Sequence, residues 1–272
     1  MKERPDFDVT GRVAVVTGGY GVLGGSIARG LAAAGARVAI LGRRWDRAEE
    51  RVEALIGQGA EATALVAAAL DGDALRRARE ELLDRWDRVD ILVNAAGGNV
   101  ARARTDNVPV FDLPLDAFDE VLRLNLHGTV VPSLVFGEAM AQQGSGSIVN
   151  ISSMAATQAL SGVLGYSVAK AGVDNFTRWL ASDVARQCGP DIRVNAVAPG
   201  FFISTQNRAV LVGPDGSYTE RARAVIAKTP MGRFGDPAEL NGAIIWLCSD
   251  AASFVTGTVI PVDGGFSAFS GV

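Results

Sequence analysis

Tyr166 and Lys170 stand four residues apart in "SGVLGYSVAKAGVDNF", residues 161–176. In a helix that spacing stacks two side chains on one face. Val173, Phe176 and, further on, Leu180 mark the same helix as one with a buried side. A tyrosine that packs while a lysine snorkels would account for the pair in purely structural terms. The chemical reading is a tuned acid–base pair. A free phenol ionises near pH ~10, too high for efficient proton transfer at neutral pH. An ammonium beside it favours the phenolate and lowers that value.

A second stretch with chemical character is "VVTGGYGVLGG", residues 15–25. It lies between an apolar run that reads as a buried strand and a segment that reads as a helix. In a doubly wound fold that junction binds a dinucleotide, because glycines let the backbone approach a pyrophosphate and the helix N-terminus offers N–H donors. The end of the next strand then reports the cofactor. An NAD-type site places an acidic residue there to accept from the ribose hydroxyls. This protein has "AILGRR", with Gly42 in that place and Arg43 and Arg44 after it. A guanidinium pairs with a 2′-phosphate where a carboxylate would repel it. NADP(H) is therefore favoured; arginines that merely start a helix would leave NAD(H) as the alternative.

These residues need a scaffold, and the rest of the sequence supplies one. Short apolar runs alternate with amphipathic segments: strands at 12–17, 37–41, 62–69, 89–97, 147–152, 192–200 and 257–265. The intervening helices include a long one from about 115 to 143, opened by Pro114, and the Tyr–Lys helix at about 165–187. Strict alternation predicts an α/β fold: one doubly wound Rossmann domain over 1–272, with a seven-stranded parallel sheet covered by helices on both faces. Its dinucleotide-binding half spans about 10–150. Residues 201–230 read as an irregular lid, since unstructured segments of that length in compact domains are usually functional.

Composition narrows the function classes. The 272 residues carry 26 Lys and Arg against 30 Asp and Glu, a net charge of -4, with no basic stripe. That argues against nucleic-acid binding. The N-terminal "MKERPDFDVTGR" has no apolar core for a signal peptide, and the longest uncharged run is interrupted by Gln, Asn, Ser and Thr. A cytoplasmic protein without a membrane span is expected. His127, alone of its type, and the two cysteines, Cys188 and Cys248, form no metal constellation. His127 is read as a packing or surface residue, and the cysteines as reduced, buried thiols.

The motifs together resemble the short-chain dehydrogenase/reductase family from "RVAVVTGG" to "VIPVDGG". "YSVAK" resembles its YxxxK motif. Ser153 in "NISSM" and Asn125 in "RLNLHG" match its other two catalytic positions. The resemblance implies that Ser153 bonds the substrate oxygen, Tyr166 acts as acid and base, Lys170 tunes it, and Asn125 holds a water that links Lys170 to solvent. "TGGYGVLG" is similar to the family's TGxxxGxG loop, so Gly18, Tyr20, Gly21, Val22 and Leu23 are expected around the phosphates. The middle glycine of that pattern falls on Val22. "NAAG", Asn94, Ala95, Ala96 and Gly97, resembles the NNAG turn, and "NAVAPG" supplies Pro199 and Gly200, with Phe202 just beyond, around the nicotinamide. An acidic residue that many relatives carry near the adenine is displaced here to Asp71.

Longer stretches, "NAAGGNVARA", "VAPGFFISTQNR", "TPMGRFGDPAEL" and "IPVDGGFSAFSGV", are similar to the D-mannonate oxidoreductases of the short-chain type, also called fructuronate reductases. That resemblance implies hydride transfer between D-fructuronate and D-mannonate. Asn99, Ser153, Gln158, Gln206, Asn207 and Arg208 are candidate substrate contacts, with Arg208 or Arg102 for a carboxylate. Arg233 reads as a structural residue at the base of the lid. A 3-oxoacyl thioester is the alternative substrate class, favoured by a wide apolar entrance with basic residues nearby. A regulator that binds the dinucleotide without turnover would not need Ser153, Tyr166 and Lys170. The tail at "FSAFSGV" commonly meets a neighbouring subunit in the family, which implies a homotetramer.

Overall fold

The strand Val13–Thr17 (β1) shows why this sequence makes a two-sided sheet. All five of its residues are buried. Ala14 and Val16 enter one hydrophobic core, while Val13 and Val15 enter another. A period of two that is apolar on both faces is the signature of a strand covered above and below. The structure, a computed structural model, describes residues 6–106, 108–205 and 207–271.

Six further strands follow: β2 (Arg37–Gly42), β3 (Ala62–Val66), β4 (Ile91–Asn94), β5 (Gly146–Ile151), β6 (Ile192–Pro199) and β7 (Val259–Val262). They form one sheet in the order β3-β2-β1-β4-β5-β6-β7, with every neighbouring pair parallel. Helices α1 (Val22–Ala33), α2 (Trp45–Ile56) and α3 (Gly72–Trp86) connect the first four strands. Next come α4 (Leu115–Leu122), α5 (Gly128–Gln143), α6 (Leu164–Gln187), α7 (Arg208–Leu211), α8 (Glu220–Lys228) and α9 (Asn241–Cys248). Leu31 of α1, Val52 of α2 and Ile244 of α9 pack on one face of the sheet. Leu75 of α3, Phe136 of α5 and Leu180 of α6 pack on the other. Phe136 is fully buried, so its truncation to alanine would cost about 3–5 kcal/mol. The strand order reverses between β1 and β4, which opens a crevice at their C-terminal ends.

Three elements differ from the sequence reading. The long helix over 115–143 is interrupted by a π-helical turn, Arg123–His127, in which the Gly128 N–H reaches back to the Arg123 carbonyl. Hydrophobic spacing does not reveal such an insertion, because the helix continues on either side of it. The third strand stops at Val66, and Ala67–Ala69 leave the sheet. The segment 201–230, expected to be an irregular lid, is not wholly irregular. It contains α7 and α8, and Thr219 caps α8 by accepting from the Ala222 N–H at 3.2 Å. Asp236 caps the turn at 237–240 in a capping box with Glu239, and Arg233 bonds both oxygens of Glu239 at 2.8 and 2.6 Å. That pair holds the Glu239 carboxyl down at about 2 and fixes the backbone where the lid rejoins the domain. Among the described residues, no helix is long and apolar enough to cross a membrane.

Candidate active site

Two adjoining cavities open at the C-terminal end of the sheet. The first, about 430 Å³, is lined by Gly18, Tyr20, Gly21, Val22, Leu23, Arg43, Ala95, Ala96 and Gly97, with Tyr166 and Lys170 at its inner end. The second, about 250 Å³, is lined by Asn99, Ser153, Tyr166, Pro199, Gly200, Phe202, Asn207 and segments of the lid. Tyr166 belongs to both walls.

The first cavity fits a dinucleotide. The N-cap of α1 is Gly21, which offers no side-chain cap, and the first turn holds no acidic residue. Its N–H groups and positive dipole end are left for an anion. Gly24 has no room for a side chain, since a Cβ would lie 2.5 Å from the Gly18 carbonyl oxygen. Val22, at the family's middle glycine, is tolerated because it opens α1 at the half-exposed rim. At Gly42 a Cβ would come within 2.1 Å of the Tyr20 ring, so an acidic residue there is excluded while Tyr20 keeps its place. Arg43 is exposed on this wall, and no hydrogen bond or ion pair engages it among the described residues. Arg44 stands outside the lining and pairs with Asp46 at 2.5 Å.

Other expected cofactor residues take different places. Asn94 turns inward, with its Nδ2 donating to Ser133 Oγ and Asn150 Oδ1, both at 2.8 Å. It fixes the end of β4 from inside, while Ala95–Gly97 carry the cavity wall. Pro199, Gly200 and Phe202 line the second cavity rather than the first. Asp71 caps α3 by accepting from the Ala74 N–H at 3.0 Å, and Ala68, Ala69 and Leu70 line the cleft in its stead.

The four candidate catalytic side chains converge from three segments. Ser153, after β5, whose Oγ accepts from the Ala155 N–H at 3.2 Å, shares the wall of the second cavity with Tyr166 on α6. Lys170, one turn on, donates its Nζ to the Ile151 carbonyl at 2.7 Å and lies 5.5 Å from the Tyr166 ring centroid. Asn125 sits in the π turn. Its Oδ1 accepts from the Gly98 N–H at 2.9 Å, and its Nδ2 donates to the carbonyls of Gly98 at 2.7 Å and Val121 at 3.0 Å. Asn125 thus straps the turn after β4 against the lysine. Below them Ser152 Oγ donates to Asp174 Oδ1, a buried pair one turn beyond Lys170.

The electrostatics correct one expectation. Lys170 does not hold the phenol low in this state. Burial pushes Tyr166 above its ordinary value, opposed by the nearby Ser153 hydroxyl. Burial also pulls Lys170 down to about 8, opposed by Asp174. Desolvation therefore outweighs pairing at both groups.

Among the expected substrate residues, Asn99, Ser153 and Asn207 line the second cavity, whereas Gln158 and Arg208 are exposed and outside that lining. Arg102 is engaged with Asp116 at 2.6 Å on the surface. Gln206 lies outside the described residues. Two residues missed by sequence reasoning stand in the wall: Arg104 and Arg221. A lid helix was signalled by Thr219 before "ERARAVIAK", and recognising it would have pointed to Arg221. His127 and Cys188 are exposed and Cys248 is buried, so the expectation of two buried thiols holds for one. No cluster of His, Cys, Asp and Glu among the described residues could hold a metal ion.

A family model described as enoyl-(acyl carrier protein) reductase matches residues 21–267. Uncharacterized oxidoreductase UxuB of Bacillus subtilis is 42% identical over 97% of this protein and 98% of its own length. The protein belongs to the short-chain dehydrogenase/reductase family. A Haemophilus influenzae structure with bound NAD, whose proposed identity is a D-mannonate oxidoreductase, superposes with a TM-score of 0.91. It is 38% identical and covers 97% of this protein and 98% of its own length. A Beutenbergia cavernae structure with bound NADP, proposed to be an NAD(P)-dependent gluconate 5-dehydrogenase, has a TM-score of 0.86. It is 39% identical, over 97% and 99% of the two proteins. The protein is accordingly an NAD(P)-dependent oxidoreductase of the short-chain family, acting on CH–OH groups and the matching carbonyls.

Proposed function

We propose that the enzyme interconverts the carbonyl and secondary alcohol of a sugar acid of the D-fructuronate/D-mannonate type, with NADP(H) preferred over NAD(H). The observation that carries this reading is the second cavity. It is of a size for a six-carbon molecule, it meets Ser153 and Tyr166 on one wall, and its only charged lining residues among those described are arginines.

A bound nicotinamide would supply or accept the hydride at the carbonyl carbon. Gly18, Tyr20–Leu23 and Ala95–Gly97 would hold the dinucleotide, and Arg43 would pair with a 2′-phosphate in the place Gly42 leaves without a carboxylate. Ser153 Oγ donates a hydrogen bond to the substrate oxygen, where negative charge builds during reduction. Tyr166 gives its proton to that oxygen, and takes one back from the alcohol in the reverse direction. Lys170 stabilises the phenolate so formed. Asn125 fixes the Gly97–Gly98 turn beside Lys170, and a water held there would link the ammonium to solvent. The exposed apolar residues Leu134, Trp179 and Phe254 suit burial by further copies of the protein, in a cytoplasmic homotetramer.

A second reading has its own support. Leu160, Val163, Phe201, Val210 and Leu211 give the cavity a largely apolar wall with two arginines near it, which also suits a 3-oxoacyl thioester. One panel separates the two: oxidation of NADPH and NADH with D-fructuronate, a neutral ketose and a 3-oxoacyl thioester. D-Fructuronate is expected to give the highest kcat/KM, with NADPH. A higher value for the thioester would replace the sugar-acid reading with the second one.

A further inference from the structure

Three segments far apart in sequence meet at the rim of the second cavity. Arg104 lies in the loop after β4, Ser161 and Gly162 in the loop before α6, and Arg221 in the first turn of α8. One carboxylate joins them. Arg104 Nε donates to Asp106 Oδ2 at 2.8 Å, and Arg104 Nη2 donates to the same oxygen. Arg221 Nη1 lies 3.9 Å from Asp106 Oδ1. Arg221 also donates to the Ser161 hydroxyl at 3.1 Å and the Ser161 carbonyl at 3.0 Å. The Thr105 N–H bonds the Gly162 carbonyl at 3.2 Å. A Cβ on Gly162 would fall 1.5 Å from Asp106 Oδ1, so the carboxylate is seated where only a glycine leaves space.

The charge balance of this cluster faces the cavity. Arg104 and Arg221 line it, whereas Asp106 does not. Two cations against one anion leave one positive charge on a wall otherwise free of charged side chains among the described residues. The two guanidinium side chains keep 31% and 33% of their exposure, so they are partly withdrawn from water and their field is less screened than that of a surface pair. Arg104 Nη1 has no protein partner among the described residues.

We propose that Arg104 and Arg221 together form the receptor for the substrate's carboxylate, with Asp106 as the internal counter-ion that sets the cavity's net charge at one. A monoanionic sugar acid then satisfies the pair, because a guanidinium fork matches a carboxylate in geometry and charge. A neutral ketose leaves the excess charge uncompensated. This assignment rests on the sugar-acid reading and adds to it the residues that would select the acid.

The test compares KM and kcat for D-fructuronate and for D-fructose, its neutral counterpart, in the wild type and in Arg104→Gln, Arg221→Gln and Asp106→Asn. Each arginine variant is expected to raise KM for the acid 10- to 100-fold and to change KM for the ketose far less, so the preference for the acid collapses. Asp106→Asn is expected to move the other way, lowering KM for the acid. Arg→Lys at either position, which keeps charge but loses the fork, is expected to fall between and stands in for a glutamine variant that fails to fold. If the wild type shows no preference for the acid, the sugar-acid reading fails and the receptor with it. If the wild type prefers the acid but the variants depress both substrates equally, the cluster is a structural clamp and the receptor alone is overturned.

Discussion

Lys170 keeps an ammonium in the interior, 4% exposed, with the Ile151 carbonyl as its hydrogen-bond acceptor. The fall from 10.5 to about 8 is a folding cost of roughly 3 kcal/mol while the group is charged. Its sign fixes a pH dependence. Between pH 8 and 10.5 the unfolded state holds this proton and the folded state does not, so stability rises with pH across that window. Urea unfolding at pH 7 and pH 10 should show the stability of Lys170→Met gaining on that of the wild type at the lower pH, with the gap closing at the higher. For Tyr166 the expected outcome is chemical. Tyr166→Phe should lower kcat at least about 100-fold while the NADPH dissociation constant, read by fluorescence, stays within a few-fold. The alcohol-oxidation rate of the wild type should rise with pH and the ketone-reduction rate fall, since one needs the phenolate and the other the phenol. At this scale spacing alone brought out Tyr166 and Lys170, and the family's motifs brought out Ser153 and Asn125. Arg104 and Arg221 stayed hidden because what joins them is a contact between residues more than a hundred apart. The inward turn of the Asn94 side chain stayed hidden as well, because it depends on where β4 ends.

At the scale of elements, the proposed preference for NADP(H) rests on the junction of β2 and α2. Gly42 lies under the Tyr20 ring, and Arg43 follows on the open wall. Arg43→Ala should raise KM for NADPH at least about tenfold and leave KM for NADH nearly unchanged, as expected for the loss of a charge-assisted bond to phosphate. Gly42→Asp alone should not produce an NADH-preferring enzyme, because the new side chain collides with Tyr20. Joined with Tyr20→Ala it should, and the ratio of kcat/KM for the two cofactors checks both statements. The strands and most helices were legible because buried strands are short apolar runs and surface helices are amphipathic. The π turn was not, since an extra residue in a helix leaves both flanking periodicities intact. Nor was α8, whose polar sequence hid behind the glycines at 213 and 216.

Across the whole molecule, the seven-stranded order brings the C-terminal ends of β1, β4, β5 and β6 to one edge, and both cavities open there. The tail closes this arrangement from the far side: Phe266 meets Phe201 edge-on at 5.2 Å, while Phe269 stays exposed. The tail therefore packs on the base of its own lid, which sequence could not distinguish from packing on a neighbour. Two whole-molecule measurements follow. Sedimentation equilibrium should give a mass about four times 28.3 kDa for the proposed tetramer. Thiol titration of the folded protein should find Cys188 reactive and Cys248 silent, since burial pushes the Cys248 thiol up to about 12 and denies access to the reagent.

The π turn also bears on which deletions the protein can survive. Deleting one residue elsewhere in a regular helix rotates everything beyond it by about 100° and tears its buried face from the core. Within Arg123–His127 the same deletion converts a five-residue hydrogen-bond step into an ordinary four-residue one. Leu122 and Gly128 would stay joined, and α5 would keep Phe136 and Met140 against the sheet. What would be lost is the place of Asn125 beside Gly98. In a scan of single-residue deletions, this turn should yield variants that fold and melt cooperatively yet do not turn over.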